Sequence, residues 1–157
     1  MQPGVKLDSI DKKILEILQQ DARITNAQLA KEIGLSPAPT LERVKKLENL
    51  FLIKSYHAEL DKEKLGLGVS IFLLITLSSH KLNQINTFVE KINKIKQVVE
   101  CHHITGAGDF MLKIITSDIP AYHKLILETI TQIEEIGNMQ SMIVLSTYKN
   151  SKVLPID

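Results

Sequence analysis

The stretch LSPAPTLERVKKLE, residues 35–48, decides the N-terminal fold. Ser36 is a good N-cap, and Pro37 occupies the first helical position, where a missing backbone N–H costs nothing. The preceding helix is expected to end at Gly34, so that Leu35 alone separates the end of one helix from the cap of the next. The sequence therefore predicts a tight helix-turn-helix.

The second helix of this pair is predicted to have an apolar face and a basic face. Three apolar residues recur at helical spacing and are expected to face inward: Leu41, Val44 and Leu47. Arg43 and Lys46 would then project outward, with Lys45 on the flank. The exposed side of this helix is expected to carry positive charge.

Two further helices are predicted upstream. Asp8 is a good N-cap, and the apolar residues that follow recur at helical spacing, which predicts a helix over residues 9–20. Thr25 and Gln28 have the spacing of a capping box and mark the start of another helix. Downstream, residues 53–56 and 58–60 are expected to form short strands, as a small wing or a link.

From Leu67 onward the hydrophobic period changes. Strands are predicted near residues 69–77, 98–104, 109–116 and 141–148, and helices near residues 81–94 and 119–134. The order βαββαβ favours a ferredoxin-like domain with both helices on one face of an antiparallel sheet. The predicted organisation is α+β, with a helix-turn-helix domain over 1–56, a linker over 57–66 and a ferredoxin-like domain over 67–157.

The predicted strands are apolar on both faces. Val69 and Ile71 lie on one side of the first strand, yet Phe72 and Leu74 lie on the other. Helices can cover only one face of such a sheet, so a second copy is expected to cover the other. The sequence therefore predicts at least a dimer.

Composition restricts the class of protein further. The chain has 157 residues, 44% of them hydrophobic and 24% charged, as in a globular protein. The formal net charge is +1; residues 1–56 carry nine Lys and Arg against seven Asp and Glu, whereas residues 57–157 carry ten against eleven. This small asymmetry leaves DNA binding to be decided by the local pattern.

No membrane segment or signal peptide is expected. The most apolar run, Val69–Leu77, is far shorter than the roughly 20 residues that span a bilayer, and the first residues contain no apolar signal core. Cys101 is the single cysteine, which suits a reducing compartment. We therefore expect a cytoplasmic protein.

Motifs in both halves carry a resemblance to a known family. The segment at residues 35–48, together with residues 100–102, 105–113 and 121–129, resembles the Lrp/AsnC family of feast/famine transcription regulators. The resemblance implies a winged-type helix-turn-helix joined to a ferredoxin-like effector domain, often called the RAM domain. It also implies dimers that form through the sheets, assembly into octamers or other higher multiples, and amino acids as effectors.

The resemblance places the residues nearest double-stranded DNA on the recognition helix, Ser36 to Glu48. They are Ser36, Thr40, Arg43, Lys45 and Lys46. Arg43 has the planar fork for a guanine edge or a phosphate, whereas Lys45 and Lys46 suit phosphate charge. Ser36 could donate to a phosphate or serve only as a cap, and Thr40 could contact DNA or pack inward.

The effector is expected at the loop between the second and third strands. Gly106 and Gly108 let backbone approach a ligand, and on the family template Asp109 pairs with the ammonium group of an amino acid. A simple turn is the alternative. Ala107 departs from the family, where an acidic residue is common. Three residues of the last strand would wall the pocket or merely pack: Ser141, Met142 and Ile143. Leucine or methionine is the expected effector.

Other functions are less well supported. Cys101 and His103 point to one face of a strand and His102 to the other, and no second ligand pair has zinc-like spacing, so no metal site or cofactor is expected. The motifs of common enzymes are missing, so we expect no enzyme. The sequence predicts a sequence-specific, effector-responsive transcription regulator, with a nucleoid-type architectural DNA-binding protein as the alternative and a small-molecule-binding enzyme as a distant one.

Overall fold

The structure, a computed structural model, describes residues 5–156 and divides the chain into two compact units. The first comprises the chain up to Glu59 and from Lys149 onward, and the second comprises Leu60–Tyr148. Residues 1–4 and 157, where the predicted domains begin and end, lie outside the described residues.

The C-terminal segment differs from the prediction that it belongs to the ferredoxin-like domain. The side chain of Gln19 donates to the carbonyl of Leu154 at 3.3 Å and accepts from its N–H at 2.6 Å. Lys152 lies 3.5 Å from Glu59. These contacts fix the segment within the first unit, where it lines a cavity of about 860 Å³ together with the end of the first helix and residues 52–59.

The first unit contains three helices: α1 (Ser9–Gln20), α2 (Asn26–Ile33) and α3 (Pro37–Asn49). The predicted caps of α1 and α2 are confirmed. Asp8 accepts a hydrogen bond from the N–H of Asp11, and Thr25 and Gln28 form a reciprocal capping box. Gly34 ends α2 with a φ of 75°, a left-handed conformation that glycine adopts without steric cost.

The inward stripe of α3 differs from the prediction at its first position. Leu41 is 43% exposed, so its assignment to the core is wrong, whereas Thr40 and Leu47 are completely buried. The core-facing positions are Thr40, Val44 and Leu47, at i, i+4 and i+7, and Leu41 lies about 100° further round the helix. A threonine therefore occupies a core position that the apolar pattern assigned to leucine.

The predicted short strands after α3 are also wrong. Residues 54–60 form neither helix nor strand in this chain. A β-strand needs a hydrogen-bonded neighbour, and the first unit supplies three helices and an irregular C-terminal segment instead. Within the predicted linker, residues 61–67 make consecutive hydrogen-bonded turns.

The second unit confirms the βαββαβ order. Its elements are β1 (Val69–Leu77), α4 (Leu82–Ile92), β2 (Val98–His103), β3 (Phe110–Thr116), α5 (Ile119–Glu128) with a short 3₁₀ helix (Ile130–Gln132), and β4 (Ile136–Ile143). The sheet is antiparallel in the order β2-β3-β1-β4. The fold is α+β, as predicted, with a four-stranded sheet.

The last strand begins earlier than predicted, at Ile136 instead of residue 141. The reason is β1, which offers its free edge along nearly its whole length, so that Ile71 pairs with Ile143 and Leu77 with Ile136. Helix α5 accordingly ends at Glu128, and Ile130 and Ile133 are buried without continuing the α-helix.

One face of the sheet forms the core of the second unit. Ile71, Leu73 and Ile75 of β1 are completely buried against Phe88 and Ile92 of α4, and Tyr122 and Leu125 of α5 complete this core. The opposite face carries apolar residues that are only partly buried, among them Phe72, Leu74, Met111 and Ile115, with Met142 at 41% exposed. Within residues 5–156, no helix is long and apolar enough to cross a membrane.

Candidate DNA-binding helix and effector loop

The start of α3 is held by hydrogen bonds to backbone. Ser36 is the N-cap residue but makes no side-chain capping bond, so its hydroxyl remains exposed at the helix N-terminus. Thr40 is buried, and its hydroxyl donates to the carbonyl of Ser36 at 2.9 Å. Asn26 of α2 donates to the carbonyl of Pro37 at 2.8 Å. Both residues were expected near DNA. The structure places Ser36 on the surface and Thr40 in the core.

Arg43 is engaged inside the first unit. One guanidinium nitrogen lies 2.7 Å from a carboxylate oxygen of Asp8 and 2.7 Å from one of Asp11. Asp11 is 1% exposed, and Arg43 is 29% exposed at its side chain. These carboxylates raise the pKa of Arg43, Asp8 first, whereas the N–H of Asp11 and then Arg43 lower the pKa of Asp8.

The two predicted lysine contacts differ in their surroundings. Lys46 lies 3.4 Å from the second carboxylate oxygen of Asp11 and is 53% exposed at its side chain. Lys45 is exposed on the outer surface of α3. The outward positive charge of the helix is therefore carried by Lys45 fully and by Lys46 in part, while Arg43 ties α3 to α1.

Sequence reasoning missed Asp11. The residue lies one turn before Ile14 on the inward-facing side of α1, where an apolar residue is the rule. A carboxylate in such a stripe is costly to bury unless a cation meets it. That signal was present in the sequence and points to a cation on a neighbouring helix.

The loop between β2 and β3 shows why it contains two glycines. Gly106 has a φ of 115°, which a residue with a side chain rarely adopts. At Gly108 an added Cβ would lie 2.8 Å from the Leu74 side chain and 3.0 Å from the carbonyl oxygen of Ile75. The glycines thus shape the turn and let it approach β1 closely.

Asp109 ends this loop and is held by two partners. One carboxylate oxygen accepts from the N–H of Leu77 at 2.7 Å, and the other lies 2.9 Å from Nε2 of His80. The Leu77 N–H, and then His80, lower the pKa of Asp109. The side chain is 18% exposed. The carboxylate is therefore charged, fixed and close to the surface, and no sequence signal pointed to His80.

The predicted wall residues lie elsewhere in the unit. Ser141 and Ile143 pair with Leu73 and Ile71 on one edge of β1, whereas Asp109 binds the other edge near its end. This places Ser141 about 10 Å, and Ile143 about 16 Å, from Asp109 along the strand direction alone. Ser141 bonds to Tyr122 of α5, while Met142 lies on the opposite face. One chain does not bring the six predicted effector residues together.

The histidines next to Cys101 have structural partners. His102 lies 3.2 Å from Glu100, which also accepts from Lys113 at 2.7 Å. Lys113, and to a smaller extent His102, lower the pKa of Glu100, and burial raises the pKa of the Cys101 thiol. His103 stacks on Phe110. Among the described residues, no three His, Cys, Asp or Glu side chains are grouped as a metal site.

Comparisons with known proteins match both units. The AsnC-type helix-turn-helix domain matches residues 7–48, and the Lrp/AsnC ligand binding domain matches residues 70–154. The chain belongs to the Lrp/AsnC family of transcriptional regulators. The first match contains α1, α2 and α3 except its last residue, and the second contains the four-stranded sheet except Val69, together with the loop before Asp109.

Relatives of the regulator align along nearly its whole length. It is 42% identical to the transcriptional regulator AzlB of Bacillus subtilis over 154 residues, 98% of each protein. It is 37% identical to the leucine-responsive regulatory protein of Escherichia coli over 155 residues, which cover 99% of this chain and 94% of the relative.

Solved structures agree with the fold of the regulator. A transcriptional regulator of Neisseria meningitidis in complex with L-methionine superimposes with a TM-score of 0.92 at 32% identity, covering 96% of this chain and 97% of the other. E. coli AsnC superimposes with a TM-score of 0.88 at 28% identity, covering 96% and 99%.

Proposed function

We propose that this regulator binds specific operators in the cytoplasm as an oligomer and that an amino acid changes its affinity for them. The observation that carries the proposal is the pairing, in one chain, of a helix-turn-helix with a family ligand-binding domain whose loop ends in a charged, near-surface carboxylate. The methionine complex of the Neisseria relative supports an amino acid with an apolar side chain, such as methionine or leucine.

On the DNA side, α3 enters the major groove. Ser36 and the backbone N–H of Ala38, which lies between Pro37 and Pro39, donate to a phosphate, and Lys45 and Lys46 neutralise phosphate charge. Arg43 contributes by holding the helix, or reaches DNA only by leaving Asp8 and Asp11. Thr40 contributes by packing, because it is completely buried.

On the effector side, Asp109 binds the ammonium group of the amino acid. Gly106 and Gly108 offer backbone polar atoms beside it, and His80 is the group that the ammonium displaces. Ser141, Met142 and Ile143 lie too far along the sheet to join Asp109 in the same chain. A pocket that contains both the effector loop and these residues of β4 is therefore formed by two copies of the chain. Binding of the amino acid is then linked to the assembly, and through it to the arrangement of the helix-turn-helix units.

The partly apolar outer face of the sheet supports a dimer, and a dimer or larger assembly makes weak single contacts with DNA strong in combination. In such an assembly, a helix with little free positive charge can still contribute to tight DNA binding.

Two measurements test the proposal. Binding of the full chain to its own promoter region and to random duplex, at physiological salt, should show a specificity ratio of at least about 10³ for a regulator and a ratio near one for an architectural protein. Adding each of the twenty amino acids in turn should shift the operator affinity for a small set of them, by about 5- to 150-fold.

Calorimetry then assigns the site. Asp109→Asn keeps an acceptor for the Leu77 N–H but removes the charge, so binding of the effective amino acid should weaken at least tenfold. Glu90→Ala, an exposed carboxylate on α4, is the matched control and should bind as the unaltered protein does. Equal heats for the unaltered protein and Asp109→Asn would contradict the assignment.

A further inference from the structure

The outer surface of α3 contains an exposed leucine. Leu41 is 43% exposed, in the middle of a helix whose other face supplies the core of the first unit. Ala38 and Lys45 lie one turn before and one turn after it on the same side, and both are exposed. The three residues form a short stripe of two apolar side chains followed by an ammonium group, which we call the α3 stripe.

The residue best suited to recognise bases by hydrogen bonds is occupied elsewhere. Arg43 lies 2.7 Å from both Asp8 and Asp11, and Asp11 is almost completely buried. Moving the guanidinium to a guanine edge would leave a buried carboxylate without its nearest cation, which is strongly unfavourable. Recognition by α3 must then depend on side chains that are free to meet DNA, and the α3 stripe is the part that is both exposed and apolar.

The chemistry of the stripe selects one feature of the major groove. Of the four bases, only thymine presents a methyl group there, and apolar side chains recognise it by contact. Lys45, one turn along, is placed to neutralise a phosphate beside such a base. Glu42 also lies on the outer surface, and a carboxylate there accepts from the cytosine amino group and is repelled by phosphates. The Glu42 carboxylate therefore restricts the orientation of α3 in the groove, but it makes no contact with thymine.

We propose that Leu41 is a specificity-determining residue that packs against thymine C5-methyl groups in the operator. The proposal rests on the proposed function, since it requires α3 to enter the major groove. In this proposal, Arg43 and Asp11 hold α3 in place. Part of the preference for an operator sequence comes from the apolar contact of Leu41.

The test removes the proposed contact from either side, by taking the C5-methyl groups from the DNA or the Leu41 side chain from the protein. An operator is first selected from random duplex with the full-length regulator and then prepared with thymine or with uracil, which differs only by lacking the C5-methyl group. For the unaltered protein, uracil should weaken binding by about fourfold for each methyl group that Leu41 covers, the scale of burying one methylene group. Leu41→Ala should bind the thymine operator more weakly and lose less affinity with uracil than the unaltered protein does. Leu41→Met, which keeps an apolar side chain of similar volume, should retain the thymine preference.

Leu50→Ala is the matched control, because Leu50 is 42% exposed and lies at the C-terminal end of the same helix. It should lose affinity with uracil as the unaltered protein does. If selection yields no preferred sequence, the proposed function fails. If an operator is found and Leu41→Ala loses as much with uracil as the unaltered protein, the assignment of Leu41 is overturned while operator binding stands.

Discussion

At the scale of the residue, Phe51 holds a backbone conformation that its side chain disfavours. It follows α3 with a φ of 55°, and the residue is 79% exposed. The N–H of Leu52 bonds to the carbonyl of Leu47, and that of Phe51 to the carbonyl of Glu48, so the left-handed residue is required to end the helix. An L-residue pays about 1–2 kcal/mol for this conformation, which glycine avoids.

Phe51→Gly should therefore raise the free energy of unfolding by about 1 kcal/mol, since the exposed ring loses little packing. Urea unfolding at fixed protein concentration measures the change. Leu50→Gly is the control: Leu50 has a φ of −81°, so glycine there only adds freedom to the unfolded chain and should lower stability by roughly 0.5–1 kcal/mol. A loss of stability in both variants would show that Phe51 makes contacts that outweigh its strain.

Asp109 should make stability depend on pH in a known direction. The pKa of its carboxylate is lowered from 3.8 by the Leu77 N–H first and by His80 second. A lowered pKa contributes stability that is fully present above the ordinary value of 3.8 and is lost as the pH falls through the lower folded value. Asp109→Asn should thus be less stable than the unaltered protein by about 1 kcal/mol at pH 6, and the difference should shrink below pH 4. Unfolding free energies at a series of pH values test this, and a difference independent of pH would contradict it.

At the scale of the element, α1 and α3 are joined by the ion pairs of Asp11 with Arg43 and Lys46. Arg43→Leu leaves a buried carboxylate without its main cation and should cost about 3–5 kcal/mol. The double variant Asp11→Leu with Arg43→Leu removes both charges and should be considerably more stable than the single variant. Denaturant unfolding of the four proteins of this cycle gives the coupling free energy, and additive effects would show that the pair is unimportant.

Local sequence patterns predict the elements of this fold better than their long-range pairing does. Strand β1 was predicted at its observed bounds, because a continuous apolar run between turns is a local property. Strand β4 was misplaced by five residues, because its start depends on the edge of β1 with which it pairs. Leu41 was assigned to the core because hydrophobicity alone does not reveal that a threonine can fill a core position when its hydroxyl bonds to the preceding turn.

In the candidate site, too, local features could be predicted and contacts between distant residues could not. The caps and glycines of the helix-turn-helix and of the effector loop could be predicted, since each follows from the backbone conformation at its own position. The partners of Arg43 and Asp109 could not, because Asp11 and His80 approach them from 32 and 29 residues away along the chain. Side chains whose charge appears free in the sequence are thereby engaged in ion pairs within a unit.

At the scale of the whole molecule, the proposed assembly depends on the outer face of the sheet. Phe72 and Met142 are directly paired on this face, beside Leu74 and Met111, and form an apolar centre with Lys113 and Gln140 nearby. Phe72→Asp places a charge in that centre and should convert the assembly to smaller species, with a dissociation constant raised at least a hundredfold. The carboxylate would lose its hydration in the contact, and its cross-strand neighbour Lys113 is already paired with Glu100. Sedimentation velocity at micromolar concentration measures the change, with circular dichroism to confirm that the fold is kept. Leu127→Asp, on α5 and 53% exposed, is the control for a charge placed outside this face and should leave the dimer intact. A Phe72→Asp protein that sediments as the unaltered one would show that copies meet through another surface.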